Sequence, residues 1–209
     1  MPSSFAIAAI AFGLIFPVEL PDKTFVATLV LSTRFRPLHV WLGVSAAFLV
    51  QTVLSCTLGG LLIGLPKTPV QAASALLFLI GGIILIRGAA RADAEEAEAE
   101  REFEEKADHA VAAQAATPWR SVVTSFLVLL LAEFGDLSQI LTANLVLQYR
   151  NPIAVGIGAW TALATVSALG AVAGRQLLRR IPLATVRRIG GTVCLLLATW
   201  TCWELLSPR

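Results

Sequence analysis

The sequence predicts an all-α integral membrane protein with six transmembrane helices, arranged as two inverted three-helix repeats. Three observations predict this class. Apolar residues make up 56% of the 209 residues and charged residues only 14%, and the mean hydropathy is +0.76. The apolar residues occur in long blocks, and one acidic motif occurs twice. Because a soluble domain carries about 25% charged residues, this composition favours the membrane class.

The spans follow from six apolar blocks. A helix needs about 20 residues to cross the hydrocarbon layer, and the strands of a sheet core are shorter. The first block has no basic segment before it and exceeds the length of a signal-peptide core, so we interpret it as a span and not as a leader. The blocks lie at about 5–31, 40–64, 70–87, 121–147, 153–174 and 190–206.

The orientation follows from the 16 basic residues. Twelve of them fall in the connections after blocks one, three and five, whereas three fall on the opposite side and Lys23 lies within a span. Cytoplasmic loops carry the excess of Lys and Arg. The sequence therefore predicts that these three connections are cytoplasmic and that both termini lie outside, and the expected location is a bacterial plasma membrane.

The connection between the halves differs in composition from both of them. It contains an acidic run from Asp93 to Glu105 with interspersed alanines, which is typical of a solvated, partly helical or mobile segment. A weak cation-collecting role is the functional alternative. The predicted organisation is a first repeat over 1–87, an acidic cytoplasmic linker over 88–120 and a second repeat over 121–209.

The two halves share a motif at a constant offset of 114 residues. It reads Glu-Leu-Pro-Asp-Lys-Thr over 19–24 and Glu-Phe-Gly-Asp-Leu-Ser over 133–138. Each half holds three predicted spans, so the second must enter the membrane in the opposite sense, as in many secondary transporters. The aligned residues are Glu19, Asp22, Thr24, Thr28, Phe35 and Arg36 with Glu133, Asp136, Ser138, Thr142, Tyr149 and Arg150.

The acids of the motif are the candidate site. A charge at membrane depth costs about 2.5–3.5 kcal/mol, so acids in matched pairs indicate a function. Acids three residues apart can share one face of a helix, and Pro21 and Gly135 can break the helix and expose carbonyl oxygens. Such hard oxygen donors suit Ca²⁺, Mn²⁺ or Mg²⁺. The candidate ligands are Glu19, Asp22, Thr24, Glu133, Asp136, Ser138 and Gln139.

Protons can compete for the same carboxylates, because crowded buried acids favour the protonated form. Alternating exposure of such a site would exchange a divalent cation for protons. Three alternatives stay open: a buried ion pair, a small-solute exporter and a cation channel. We see no nucleophile–base pair and no His-rich metal motif, so we expect no enzyme. The three cysteines fit neither a zinc site nor a disulfide framework, and Gln51, Thr52 and Ser55 either line a cavity or pack between helices.

The duplicated motif resembles the Glu-x-Gly-Asp-(Lys/Arg)-(Thr/Ser) pattern of the GDT family of cation/proton exchangers, and the resemblance covers nearly the whole chain. It implies transport of Mn²⁺ or Ca²⁺ coupled to protons, with both motifs at the site. For a bacterial plasma-membrane protein we expect export of the ion from the cytoplasm, and we expect no prosthetic group. The expected partners are the ion, protons and the lipid bilayer, with no nucleic acid, and homo-oligomerisation stays open. Two residues depart from the pattern: Pro21 replaces its glycine and Leu137 its basic residue.

Overall fold

A computed structural model describes residues 2–20, 23–64, 67–89, 98, 101, 103, 105, 117–178 and 183–207. The described part is helical and contains no strand, which confirms the predicted all-α class. Its helices are α1 (Ser4–Glu19), α2 (Lys23–Arg34), α3 (Pro37–Leu62), α4 (Lys67–Gly88), α5 (Pro118–Ala132), α6 (Leu137–Tyr149), α7 (Pro152–Leu178) and α8 (Leu183–Leu206).

Local chemistry explains where several of these helices begin. The Ser3 hydroxyl accepts a hydrogen bond from the Ala6 N–H at the start of α1. Proline opens α3, α5 and α7, at a position where the missing N–H has no helical acceptor. The Asn151 side chain accepts from the Ala154 N–H at the start of α7.

The six predicted membrane spans are not confirmed, because the described residues contain between three and five candidate spans. Three helical segments are long and apolar enough to cross a membrane: Pro37–Leu62, Gln71–Gly88 and Pro152–Val172. The total rises to five if each of two bent helix pairs is one span, and the pairs are α1 with α2 and α5 with α6. The sixth predicted block lies in α8, where the described apolar section Gly191–Trp203 is shorter than a span.

The first and fourth predicted spans are not continuous helices. The chain bends by 73° between Ser4–Glu19 and Thr24–Arg34 and by 76° between Pro118–Ala132 and Leu137–Tyr149. Both breaks fall within the duplicated motif, immediately after its glutamate. At each break, one helix therefore ends close to where the next begins.

Helices from the two halves pack against each other in corresponding pairs. The α1 and α2 helices of the first half both pack on α7 of the second half. In the same way, α5 and α6 of the second half both pack on α3 of the first half. The α3 and α7 helices also pack on each other. The indole N–H of Trp41 donates to the Ala164 carbonyl at 2.9 Å, and that of Trp160 donates to the Ser45 carbonyl at 3.0 Å. Along this contact the residue number rises on α3 while it falls on α7, so these two helices run antiparallel.

Two helix crossings depend on glycine. A Cβ atom on Gly43 of α3 would collide with the Val122 carbonyl oxygen of α5, and one on Gly158 of α7 would collide with the Ala8 carbonyl oxygen of α1. The Asn151 amide also donates to the Ser4 hydroxyl at 3.2 Å, so α1 and α7 run parallel. Glycine at these positions allows backbones to approach as in other membrane bundles.

Of the predicted linker 88–120, the structure describes residues 88, 89, 98, 101, 103, 105 and 117–120. Phe103 is helical and buried in the hydrophobic cluster, whereas Glu98, Arg101 and Glu105 are exposed. The predicted solvated segment thus includes one aromatic residue that packs on the core.

We expect Gly43→Ala and Gly158→Ala to destabilise the fold by about 1–3 kcal/mol, because the opposing atoms are backbone and cannot change rotamer. Gly13→Ala in α1 is the matched control, since nothing lies within 4 Å of its added Cβ. Thermal unfolding in detergent measures the effect. Equal unfolding temperatures for all three variants would contradict the close crossings.

Candidate metal centre

The two helix breaks are built around equivalent glutamates. Glu19 is the last residue of α1, and the Leu20 N–H that follows donates to the Phe16 carbonyl at 3.0 Å. Glu133 is the C-cap of α5, and its N–H donates to the Leu129 carbonyl at 3.1 Å. Each carboxylate therefore projects from the end of a helix inside the protein.

Three carboxylates converge at these breaks. Glu19, Glu133 and Asp136 each offer one oxygen, and the three oxygens lie within 4.8 Å of one another. Glu19 is 1% exposed and Glu133 is 5% exposed, while Asp136 is half-buried. The site thus joins Glu19 to two acids that lie 114 and 117 positions later in the chain.

The spacing of the oxygens suits a single divalent cation. Ca²⁺ binds oxygen ligands at about 2.3–2.6 Å, so two ligands on opposite sides of the ion are separated by about 5 Å at most. Carboxylates this close repel one another in a low-dielectric site. A cation or bound protons would relieve that repulsion, so the arrangement can bind either.

Threonine hydroxyl groups make corresponding hydrogen bonds in the two halves, and one of them contacts Glu19. The Thr24 hydroxyl donates to Oε1 of Glu19 at 2.9 Å, and Thr28 donates to the Thr24 carbonyl at 2.7 Å. Thr142 makes the equivalent bond to the Ser138 carbonyl, also at 2.7 Å. Thr24 therefore orients a carboxylate of the centre.

Asp136 serves two roles at the second break. It is the N-cap of α6, and its Oδ2 accepts from the Ser138 N–H at 3.2 Å. Its carboxylate also contributes to the group of three. An acid at this position is favoured by the unpaired N–H groups and the dipole of the following helix.

Gln139 closes the turn between Glu133 and Asp136. Its Nε2 donates to the Glu133 carbonyl at 2.8 Å, and its Oε1 accepts from the Gly135 N–H at 3.3 Å. Both ends of the amide therefore contact the main chain of the motif.

The structure brings three of the four predicted acids together, but not along one helix face. Glu133 and Asp136 flank a break, so they do not share a face of one helix as their spacing suggested. Thr24 contacts Glu19, Ser138 and Gln139 contact the second turn, and Asp22 lies outside the described residues. The sequence left Gln51 ambiguous, and its Nε2 donates to the Leu130 carbonyl of α5 at 3.4 Å. A glutamine within an apolar span was the only signal for that contact.

The second turn requires a glycine. Gly135 has φ +87°, a conformation that L side chains rarely adopt. The aligned residue in the first motif is Pro21, whose ring fixes φ near about −65°. A proline at the aligned position cannot adopt the φ that Gly135 has.

Comparisons with known proteins match most of the chain. Residues 7–93 and 121–209 match the family described as the divalent cation/proton antiporter GDT1. GDT1-like protein sll0615 of Synechocystis sp. is 32% identical over 195 residues, which cover 90% of this chain and 93% of that protein. GDT1-like protein 3 of Arabidopsis thaliana is 30% identical over 204 residues, which cover 93% and 69%. No solved structure matches the chain.

We expect Gly135→Val to weaken divalent-cation binding, because a β-branched residue is strained at positive φ. The strain arises from the backbone alone, since a Cβ at 135 meets nothing within 4 Å. Gly135→Asn is the matched variant, because asparagine tolerates positive φ better. Calorimetric titration with Mn²⁺ compares them, and the prediction fails if valine binds the ion as tightly as asparagine.

Proposed function

The chain belongs to the GDT1 family of divalent cation/proton antiporters, and from this premise we propose that it exports Mn²⁺ or Ca²⁺ from the cytoplasm in exchange for protons. The observation that carries the proposal is the convergence of Glu19, Glu133 and Asp136 within 4.8 Å. Asp22, the remaining acid of the duplicated motif, completes the proposed ligand set.

Exchange follows from competition for the same oxygens. With no cation bound, the crowded carboxylates lower their mutual repulsion by holding protons. A divalent cation that binds displaces those protons, so both species cannot occupy the site fully at once. Alternating access of such a site to the two sides of the membrane couples the two flows in opposite directions.

We further propose that the halves form an inverted repeat of three spans each. The corresponding contacts of α1 with α7 and of α5 with α3 support it. Gly43 and Gly158 also support it, because each lies against a carbonyl oxygen of the neighbouring helix, Val122 of α5 or Ala8 of α1. Since α1 is parallel to α7 and α3 is antiparallel to α7, α1 and α3 run in opposite directions. Gly43 lies against Val122 and Gln51 donates to Leu130, so residue number rises in the same direction along both helices and α5 runs parallel to α3. The two motif helices would then enter the centre from opposite sides.

The basic residues support the proposed orientation. The excess of Lys and Arg in the connections after the first, third and fifth predicted spans favours a cytoplasmic location for them. The termini and the other connections would face outward in the plasma membrane of a bacterium.

One alternative is that the chain exports a small solute, and a groove on the molecule could favour it. An apolar groove of about 500 Å³ lies between α3 and α7. None of its lining residues is a carboxylate, and its walls include Thr52, Cys56 and Trp160. The groove and the three acids are thus separate features, and the acids fit an ion better than a solute.

We expect Glu19→Gln and Glu133→Gln to reduce Mn²⁺ and Ca²⁺ transport at least about tenfold, since each removes a charged ligand oxygen. Glu105→Gln, at an exposed residue of the linker, is the matched control and is expected to transport as the unaltered chain does. Ion uptake into proteoliposomes with an acidic interior measures the effect.

The same vesicles separate an antiporter from a channel. For an antiporter, dissipating the pH gradient with a protonophore at zero membrane potential stops net uptake against an ion gradient. Uptake that follows only the ion gradient and membrane potential would contradict exchange. Full activity of both glutamate variants would remove the three acids from the pathway.

A further inference from the structure

The second helix break leaves main-chain groups that its own helix does not satisfy. The main-chain hydrogen bonds of α5 end with the bond from the Glu133 N–H to the Leu129 carbonyl. The carbonyls that follow must find donors elsewhere, since an α-helix leaves its last carbonyls without helical partners. Two of these carbonyls bear on the site, and they belong to Leu130 and Glu133.

Two glutamine side chains donate to these carbonyls, and the Asp136 N–H also donates to the Glu133 carbonyl at 3.4 Å. Gln51, 3% exposed on α3, donates its amide to the Leu130 carbonyl at 3.4 Å. Gln139, in the first turn of α6, donates to the Glu133 carbonyl at 2.8 Å and accepts from the Gly135 N–H. One glutamine therefore holds the end of α5 from a neighbouring helix, and the other ties that end to α6.

The first break has no such glutamines. At the repeat offset of 114, Gln139 aligns with Phe25, and at the offset of 115 that aligns Pro37 with Pro152, Gln51 aligns with Val166. The Phe16 carbonyl, equivalent to that of Leu130, accepts from the main-chain N–H of Leu20 at 3.0 Å. At this equivalent carbonyl the donor is a main-chain N–H in the first break and the Gln51 side chain in the second.

We propose that Gln51 and Gln139 are positioning residues that fix the Glu133–Asp136 turn, and thereby the separation of its two carboxylates. Gln139 then acts on the ion through the backbone and is not itself a ligand. This inference rests on the proposed function, because it assigns the two amides a role at the same cation site.

The substitution Gln139→Glu distinguishes positioning from ligation, because the two roles predict opposite signs. A carboxylate at 139 has no N–H to donate, and it would repel the Glu133 carbonyl oxygen that the amide now binds. If residue 139 were a ligand, the same change would replace a neutral oxygen by a charged one and strengthen binding of a divalent cation. Positioning predicts weaker binding.

The experiment titrates the purified full chain with Mn²⁺ by calorimetry and measures Mn²⁺ transport in proteoliposomes. We expect Gln139→Glu to raise Kd and KM at least about tenfold, in the range that loss of a residue orienting a ligand produces, with a smaller change in kcat. Gln148→Glu is the matched control, since Gln148 is exposed near the end of the same helix. Gln51→Leu is the second variant, because leucine suits an apolar helix but cannot donate to Leu130, and it is expected to raise Kd as well.

Several results would overturn the inference. Equal or tighter Mn²⁺ binding by Gln139→Glu would make Gln139 a ligand or a bystander. Unchanged Kd with a lower unfolding temperature in both variants would leave the glutamines a purely structural role. If the unaltered chain bound neither Mn²⁺ nor Ca²⁺, the proposed function would fail and the positioning role with it, whereas binding by the unaltered chain with unchanged variants would overturn the positioning role alone.

Discussion

The mutual repulsion of three carboxylates is the constraint on which the rest of the structure depends. Glu19, Glu133 and Asp136 bring oxygens within 4.8 Å of one another inside the protein. Carboxylates in such a place do not stay together unless packing holds them and a cation or protons offset their charge. The broken helices, the close crossings and the hydrogen bonds of the turns all act to maintain this arrangement.

Backbone proximity supplies the packing that the acids require. The glycines at 43 and 158 let α3 approach α5 and α7 approach α1, and the tryptophans at 41 and 160 tie α3 to α7. Lipid offers helices little hydrophobic gain on association, so close backbone contact and hydrogen bonds carry more of the stability. The same contacts set how near the two helix ends come.

The two breaks bend the chain by similar angles, 73° and 76°, although their motifs carry different residues. The second uses Gly135 at positive φ and two glutamine amides, whereas the first aligns Pro21 with that glycine. The fixed φ of proline removes one degree of freedom that glycine retains. In the described group of three acids, the first motif supplies Glu19 and the second supplies Glu133 and Asp136.

The sequence alone determined the helical class, the family resemblance and the candidate acids, because hydropathy, motif spacing and residue type are local properties. It also predicted breaks near Pro21 and Gly135, from the backbone chemistry of those residues. Only the tertiary structure decided that Glu19 meets Glu133, that Asp136 caps a new helix, and that Gln51 and Gln139 bond to the main chain. These outcomes depend on how helices cross, and a crossing is fixed by contacts between residues far apart in the chain, which periodicity along one segment cannot encode.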